Sequence, residues 1–155
     1  MDKLVSLLKE KNLTLSCAES LTGGLFASSI TNISGASNVF KGGVVSYTNE
    51  IKEKVLGVNK SVLDKEGAIS NTCCMQMASN VKSIFNTDIG VSFTGNAGPS
   101  ASENKPVGLV YIGISYLNKC DIYELNFKGD RISIKNQCIS YALNKIYDII
   151  IKDFK

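Results

Sequence analysis

The chain has 155 residues, 44% hydrophobic and 20% charged, a balance that fits one soluble domain with its own core. A formal net charge of +3, with no block of like charges, argues against a nucleic-acid partner. The longest apolar run, VGLVYIGISYL, is well short of the roughly 20 residues a membrane span needs, and the charged N-terminus MDKLVSLLKEKN does not read as a signal peptide.

In chain order, Leu4, Leu7 and Leu8 at helical spacing predict a short amphipathic helix over 2–11. LTLSCA (13–18) reads as a strand, 22–32 as a helix and NISGAS as a loop. GGVVSY (42–47) reads as a buried strand. Asn49 is the expected N-cap of a short helix ending at Gly57. A helix over 71–86 and a third strand, DIGVSFTG, follow. The loop NAGPSASENKP holds both prolines, Pro99 and Pro106. VGLVYIGISYL and CDIYELNFK read as two strands joined by a tight turn. Asp130 is the expected cap of a long last helix, with Ile132, Cys138, Ile139, Ala142, Leu143, Ile146 and Ile149 on one face. Helices alternating with strands, then one hairpin, predict a three-layer α/β/α sandwich. Its sheet is expected to be mixed, mostly parallel and of about five strands. Residues 1–155 read as a single domain.

Two absences constrain the chemistry. There is no histidine, so acid–base work falls to Lys, Tyr, Cys, Asp or Glu. The five cysteines are odd in number and form no C-x-x-C pair, which argues against a zinc site or a disulfide framework and for a reducing cytoplasm. Arg131 is the one arginine among 17 basic residues.

Ligands of open α/β sheets bind beyond the carboxyl ends of the strands. Three polar stretches fall there: ESLTGG, YTNEIK and TGNAGP. In the first, Ser20 or Thr22 is either a nucleophile or a helix cap. Gly23 and Gly24 permit close approach of a ligand, and the free N–H groups of the next helix suit an anion or oxyanion. In the second, a cap at Asn49 puts Lys52 at the third helical position. The positive end of the helix there favours a neutral, basic lysine. The plain alternative is a lysine pointing to water. Tyr47 reads most simply as a strand-end aromatic. In the third, Thr94 and the exposed backbone of Gly95 and Gly98 sit in a proline-stiffened loop, either ligand-gripping or ordinary surface. Arg131, opening the last helix, can grip a phosphate through its bidentate fork or form a surface salt bridge.

AESLTGG, GGVVSYTNEIK, TGNAGP, KPVG and GDR, in this order, resemble the CinA C-terminal domain family, the nicotinamide-nucleotide amidases. The resemblance runs from about Leu13 to Tyr147 and favours the stand-alone form of a domain that many members carry behind a separate N-terminal one. It implies an α/β/α sandwich that hydrolyses the carboxamide of nicotinamide mononucleotide to nicotinate mononucleotide and ammonia, without metal or cofactor. It places the serine nucleophile on Ser20, the lysine base on Lys52 and a site tyrosine on Tyr47. It places the site threonine on Thr94 and the site arginine on Arg131, with Arg131 and the Thr94 loop on the phosphate; Thr22, Gly23, Gly24, Asn49 and Gly95 are the further candidate substrate contacts. Proton transfer from Ser20 to Lys52, directly or through Tyr47, would open the reaction, and the helix after Gly24 would hold the oxyanion. Asn96 departs from a usually apolar position, the loop after Pro99 lacks the usual glycines, and Lys135 replaces a second arginine found in many members. The implied partner is the small-molecule substrate, with no nucleic acid and no membrane; homo-oligomerisation is left open. The alternative is a non-catalytic nucleotide-binding or partner-docking module that retains the pocket. A weaker rival is an amidase for another small amide.

Overall fold

A computed structural model describes residues 2–154. Five strands, β1 (Leu15–Glu19), β2 (Phe40–Val45), β3 (Ile89–Gly95), β4 (Leu109–Tyr116) and β5 (Lys119–Asn126), form one sheet in the order β2-β1-β3-β4-β5. β1 pairs in parallel with both β2 and β3, while β4 is antiparallel to β3 and β5 antiparallel to β4. Four strands therefore point one way and β4 runs against them. The first connection from β1 leads to one side of it and the next leads to the other. The end of β1 is thus the switch point where such sheets open a crevice.

Helices cover both faces. They are α1 (Asp2–Glu10), α2 (Leu25–Thr31), α3 (Asn49–Lys54), α4 (Lys60–Lys65), α5 (Asn71–Phe85) and α6 (Arg131–Asp153). β1 shows how the layers separate. Cys17 packs into a core with residues of α1, α2 and α6, whereas Ala18 packs into a second core with residues of α4 and α5. Successive strand residues point to opposite faces, so both faces of β1 are buried and, up to Glu19 at its end, the run is apolar or small. α5 lies so close on β3 that a Cβ at Gly90 would sit 2.2 Å from the Ala78 carbonyl oxygen. Only glycine allows that approach.

The predicted sandwich is the observed one, and several boundaries move. α2 starts at Leu25, not near residue 22, because the turn before it runs through left-handed backbone. β2 ends at Val45, which leaves Tyr47 beyond the strand. Thr48, not Asn49, caps α3, its hydroxyl accepting the Ile51 N–H at 3.3 Å. Lys52 therefore sits one position deeper than expected. α4 has no counterpart in the sequence reading; its two apolar residues, Val62 and Leu63, are too few to show a period. On α6, Ile132 is 65% exposed, and Ile134 and Ile150 are buried with Cys138, Ile139, Ala142, Leu143 and Ile146. Asp130 caps α6 as expected, accepting the Ser133 N–H at 2.8 Å. No helix among the described residues is long and apolar enough to cross a membrane.

Candidate active site

The carboxyl ends of β1, β2 and β3 lie side by side, and the chain leaving β5 brings Arg131 to the same end of the sheet. Between them is a cavity of about 400 Å³, a usual size for a small-molecule site. Ser20, Tyr47, Asn49, Lys52, Thr94, Gly95 and Arg131 line it. Thr22, Gly23 and Gly24 do not. Their turn needs glycine for backbone reasons, with φ of 57° at Gly23 and 100° at Gly24.

The alternation of β1 continues past its end and separates two neighbours. Glu19 follows Cys17 towards α2, and Ser20 follows Ala18 towards α3 and α5. The Glu19 carboxylate is 1% exposed and accepts the Phe26 N–H at 2.8 Å and the Ala27 N–H at 3.1 Å. It thereby fills the N-terminus of α2, the helix end expected from the sequence to suit an oxyanion. Neither Ser20 nor Thr22 caps that helix, since its N-cap is Gly24 with no side-chain cap. Thr22 is fully buried and its Oγ1 has no hydrogen-bond partner among the described residues. In the turn itself, the Ser20, Gly23 and Leu25 amides are spent on the Phe93, Ser20 and Thr22 carbonyls.

Lys52 is the centre of the site. It is 2% exposed, and its Nζ donates to Ser20 Oγ at 3.0 Å and to the Ser46 carbonyl at 2.8 Å. Burial pushes its pKa below the ordinary lysine value. Desolvation, rather than the start of a six-residue helix, is the main cause. Cys73 and Glu103 act in the opposite sense. Burial in turn raises the Cys73 thiol to about 11. Near neutral pH Cys73 is therefore uncharged, and Glu103 is the opponent that remains.

The rim is built by Arg131 and Tyr47. Arg131 Nη1 donates to the Gly98 carbonyl at 2.6 Å, and Nη2 donates to the Tyr47 hydroxyl at 2.9 Å. Tyr47 is 57% exposed. Its hydroxyl is engaged with Arg131, while Lys52 meets Ser20 directly, so the Ser20–Lys52 contact needs no tyrosine relay. Two of the five guanidinium donors are used by these contacts.

The far wall is a knot of two loops. Thr94 Oγ1 donates to the Ala68 carbonyl at 2.8 Å. Its hydroxyl hydrogen is thus spent on the protein rather than offered to a phosphate. Asn96 satisfies its whole carboxamide inside the loop. Nδ2 donates to the Ser102 and Lys105 carbonyls, and Oδ1 accepts the Ser102 N–H and hydroxyl, all at 3.0–3.1 Å. The Glu103 carboxylate accepts the Ile69 N–H at 3.0 and 3.2 Å. Glu103 and Ser46 were not singled out from the sequence. Ser46 acts through its backbone carbonyl, which residue type does not reveal, and Glu103 sits in a loop without period; the fold puts the first on Lys52 and the second in the same cavity. Cys17, near the site in sequence, is buried in the core and its pKa is raised by that burial. Its thiol donates to Glu19 Oε2 at 3.8 Å, and that neighbouring anion disfavours the thiolate further.

A serine hydroxyl against a buried, desolvated lysine amine is an arrangement that can generate an oxygen nucleophile without histidine. Known proteins agree with this fold. The family model described as CinA C-terminal domain matches residues 1–150. A relative from Bacillus thuringiensis (strain Al Hakam), whose name reads competence-damage inducible protein, is 47% identical over 147 residues. The match takes in 94% of this chain and 36% of the relative, so the chain spans about a third of the length of the curated relatives it matches. A solved structure from Agrobacterium tumefaciens, the competence/damage inducible protein CihA, superposes with a TM-score of 0.90 at 34% identity, over 94% of this chain and 90% of that one. A CinA superfamily protein from Klebsiella pneumoniae reaches a TM-score of 0.95 at 24% identity, covering 97% and 95%, which speaks for the fold alone. On the family match and the Bacillus relative together, this chain belongs to the CinA C-terminal domain family.

Proposed function

We propose that the domain is an amidohydrolase that converts nicotinamide mononucleotide to nicotinate mononucleotide and ammonia, with Ser20 as nucleophile and Lys52 as base. The observation that carries this reading is the 3.0 Å contact between Ser20 Oγ and the buried Lys52 Nζ at the floor of the cavity. Neutral Lys52 takes the Ser20 proton as Oγ attacks the carboxamide carbon. The tetrahedral intermediate collapses, the C–N bond breaks, and the proton leaves with ammonia. Water, activated by the same amine, then attacks the acyl-serine and releases the carboxylate. The oxyanion is assigned to a donor of the Ser20 turn other than the start of α2, which Glu19 already occupies. The Leu21 amide follows the nucleophile, in a residue that lines the cavity, and has no acceptor among the described residues. The remaining donors of Arg131 are assigned to the phosphate.

The test is ammonia release from nicotinamide mononucleotide by purified protein, with nicotinate mononucleotide identified as the second product. In this reading the reaction uses no metal, and a chelator leaves the rate unchanged. Binding without turnover would instead favour a nucleotide-binding module. Turnover of other small amides but not this one would move the substrate.

A further inference from the structure

The cavity carries a charge that the reaction above does not use. Glu103 lines it, on a backbone held at φ 59°, with its carboxylate on the Ile69 N–H at 3.0 and 3.2 Å. The nearest cation is Lys105, whose Nζ is 3.9 Å away and is itself tied to the Glu66 and Ile69 carbonyls. The field of Glu103 reaches Lys52 and pushes its pKa up, against the effect of burial. A base that must be neutral is poorly served by an anion lining the same cavity. A local feature that opposes the chemistry of the protein groups alone is a sign of a role towards substrate.

The proposed substrate carries a charge that complements Glu103. Its nicotinamide ring is a quaternary pyridinium, a permanent cation joined directly to the carboxamide carbon. Bound in this cavity, the ring offsets the Glu103 charge, and its own charge disfavours protonation of Lys52. We propose that Glu103 is a specificity-determining residue that recognises the positive charge of the substrate's ring, an inference that rests on the amidase reading. The site would then select oxidised pyridinium amides over neutral amides of the same shape.

Nicotinamide mononucleotide and its dihydro form test this, since they share carboxamide, ribose and phosphate and differ in ring charge. Binding is measured by calorimetry in the Ser20→Ala background, where the chemistry is silent. The Ser20→Ala protein should bind the oxidised form roughly tenfold or more tightly, as a unit-charge contact in a partly buried site predicts. Adding Glu103→Gln keeps an acceptor for the Ile69 amide and removes the charge. It should erase most of the preference while the dihydro form stays within about twofold. No preference in Ser20→Ala alone overturns the proposal, whatever the second variant does. So does a preference that survives Glu103→Gln, or an equal loss of both ligands, which would make Glu103 a loop staple only. The amidase reading fails separately. Wild-type protein that prefers the oxidised form yet releases no ammonia would sink that reading and leave the charge recognition standing.

Discussion

Lys52 Nζ lies 3.0 Å from Ser20 Oγ although 32 residues separate the two in the chain. β1 ends immediately before Ser20, and β2 runs beside it in parallel, so the chain beyond β2 returns over the same end of the sheet. α3 then turns Lys52 inwards until it is almost wholly buried. An ammonium taken from water without a carboxylate partner loses hydration that two neutral acceptors replace only in part. That cost shows as a lowered pKa and as a base ready beside a hydroxyl.

Ser20→Ala removes the hydroxyl and leaves the backbone contact of Ser20 with Phe93 intact. Ammonia release should fall to background, while calorimetry still detects nucleotide binding. Turnover at the wild-type rate in this variant would take the nucleophile away from Ser20.

Lys52→Met keeps most of the buried volume and deletes the amine. Turnover should drop on the order of 10²–10⁴-fold, the range for a positioned general base. Thermal stability should hold or rise near neutral pH, because a desolvated amine is exchanged for an apolar chain. An active Lys52→Met enzyme would remove lysine from the base role.

The pH dependence has a definite sign. Only the neutral amine accepts a proton, so the rate should climb with pH through a folded-state pKa that lies below the ordinary 10.5. In the window between that value and 10.5 the unfolded chain binds more protons at this site than the folded one. The contribution of Lys52 to stability is therefore present above 10.5 and is lost as pH falls through the folded pKa. Melting temperatures of wild type and Lys52→Met across pH should show the advantage of the variant shrinking as pH rises. A gap that is flat or widens with pH contradicts the desolvated-amine picture.

Arg131 joins the Gly98 carbonyl to the Tyr47 hydroxyl across the mouth of the cavity. Arg131→Lys keeps the charge and loses the fork. KM for the mononucleotide should rise by an amount equivalent to about 1–3 kcal/mol, with kcat little changed. Tyr47→Phe should act in the same direction more weakly, and the double variant should fall short of the sum, because both changes break one contact. Nicotinamide riboside, which lacks the phosphate, should barely register Arg131→Lys. An equal loss with riboside and mononucleotide would leave Arg131 a structural tie only.

Asn96 closes the loop over 100–105 with four hydrogen bonds of its carboxamide. Asn96→Ala leaves the Ser102 and Lys105 carbonyls without that donor. The change should cost about 1–3 kcal/mol in urea unfolding, the penalty for orphaned partly buried groups. Proteolysis should then cut the loop first. A variant as stable and as protease-resistant as wild type would show that the prolines and the ties of Glu103 and Lys105 hold the loop without Asn96.

Much of this molecule could be read from local patterns. Burial on both faces makes β3, and β1 up to Glu19, continuous small and apolar runs, and one-sided burial gives α1 its leucine spacing. Parallel strands fed by helices put ESLTGG, the residues after β2, and TGNAGP at one end of the sheet. That followed from chain order and the known hand of such connections. Ser20, Lys52, Thr94 and Arg131 stand around one cavity for that reason.

Side-chain direction and long-range pairing were decided by the tertiary structure. The N-cap moved from Asn49 to Thr48 because either residue can cap, and the geometry at the end of β2 selects one. Glu19 and Ser20 are adjacent in sequence, yet the pleat sends one to the α2 amides and the other to Lys52. No local pattern reveals that the helix end expected for an anion is already filled by a carboxylate of the same chain. Nor does one reveal that Glu103, in a loop without period, lines the same cavity as a lysine 51 positions earlier. Periodicity records which face of an element is buried; which groups meet depends on register and packing between elements distant in sequence, and those exist only once the whole core has formed.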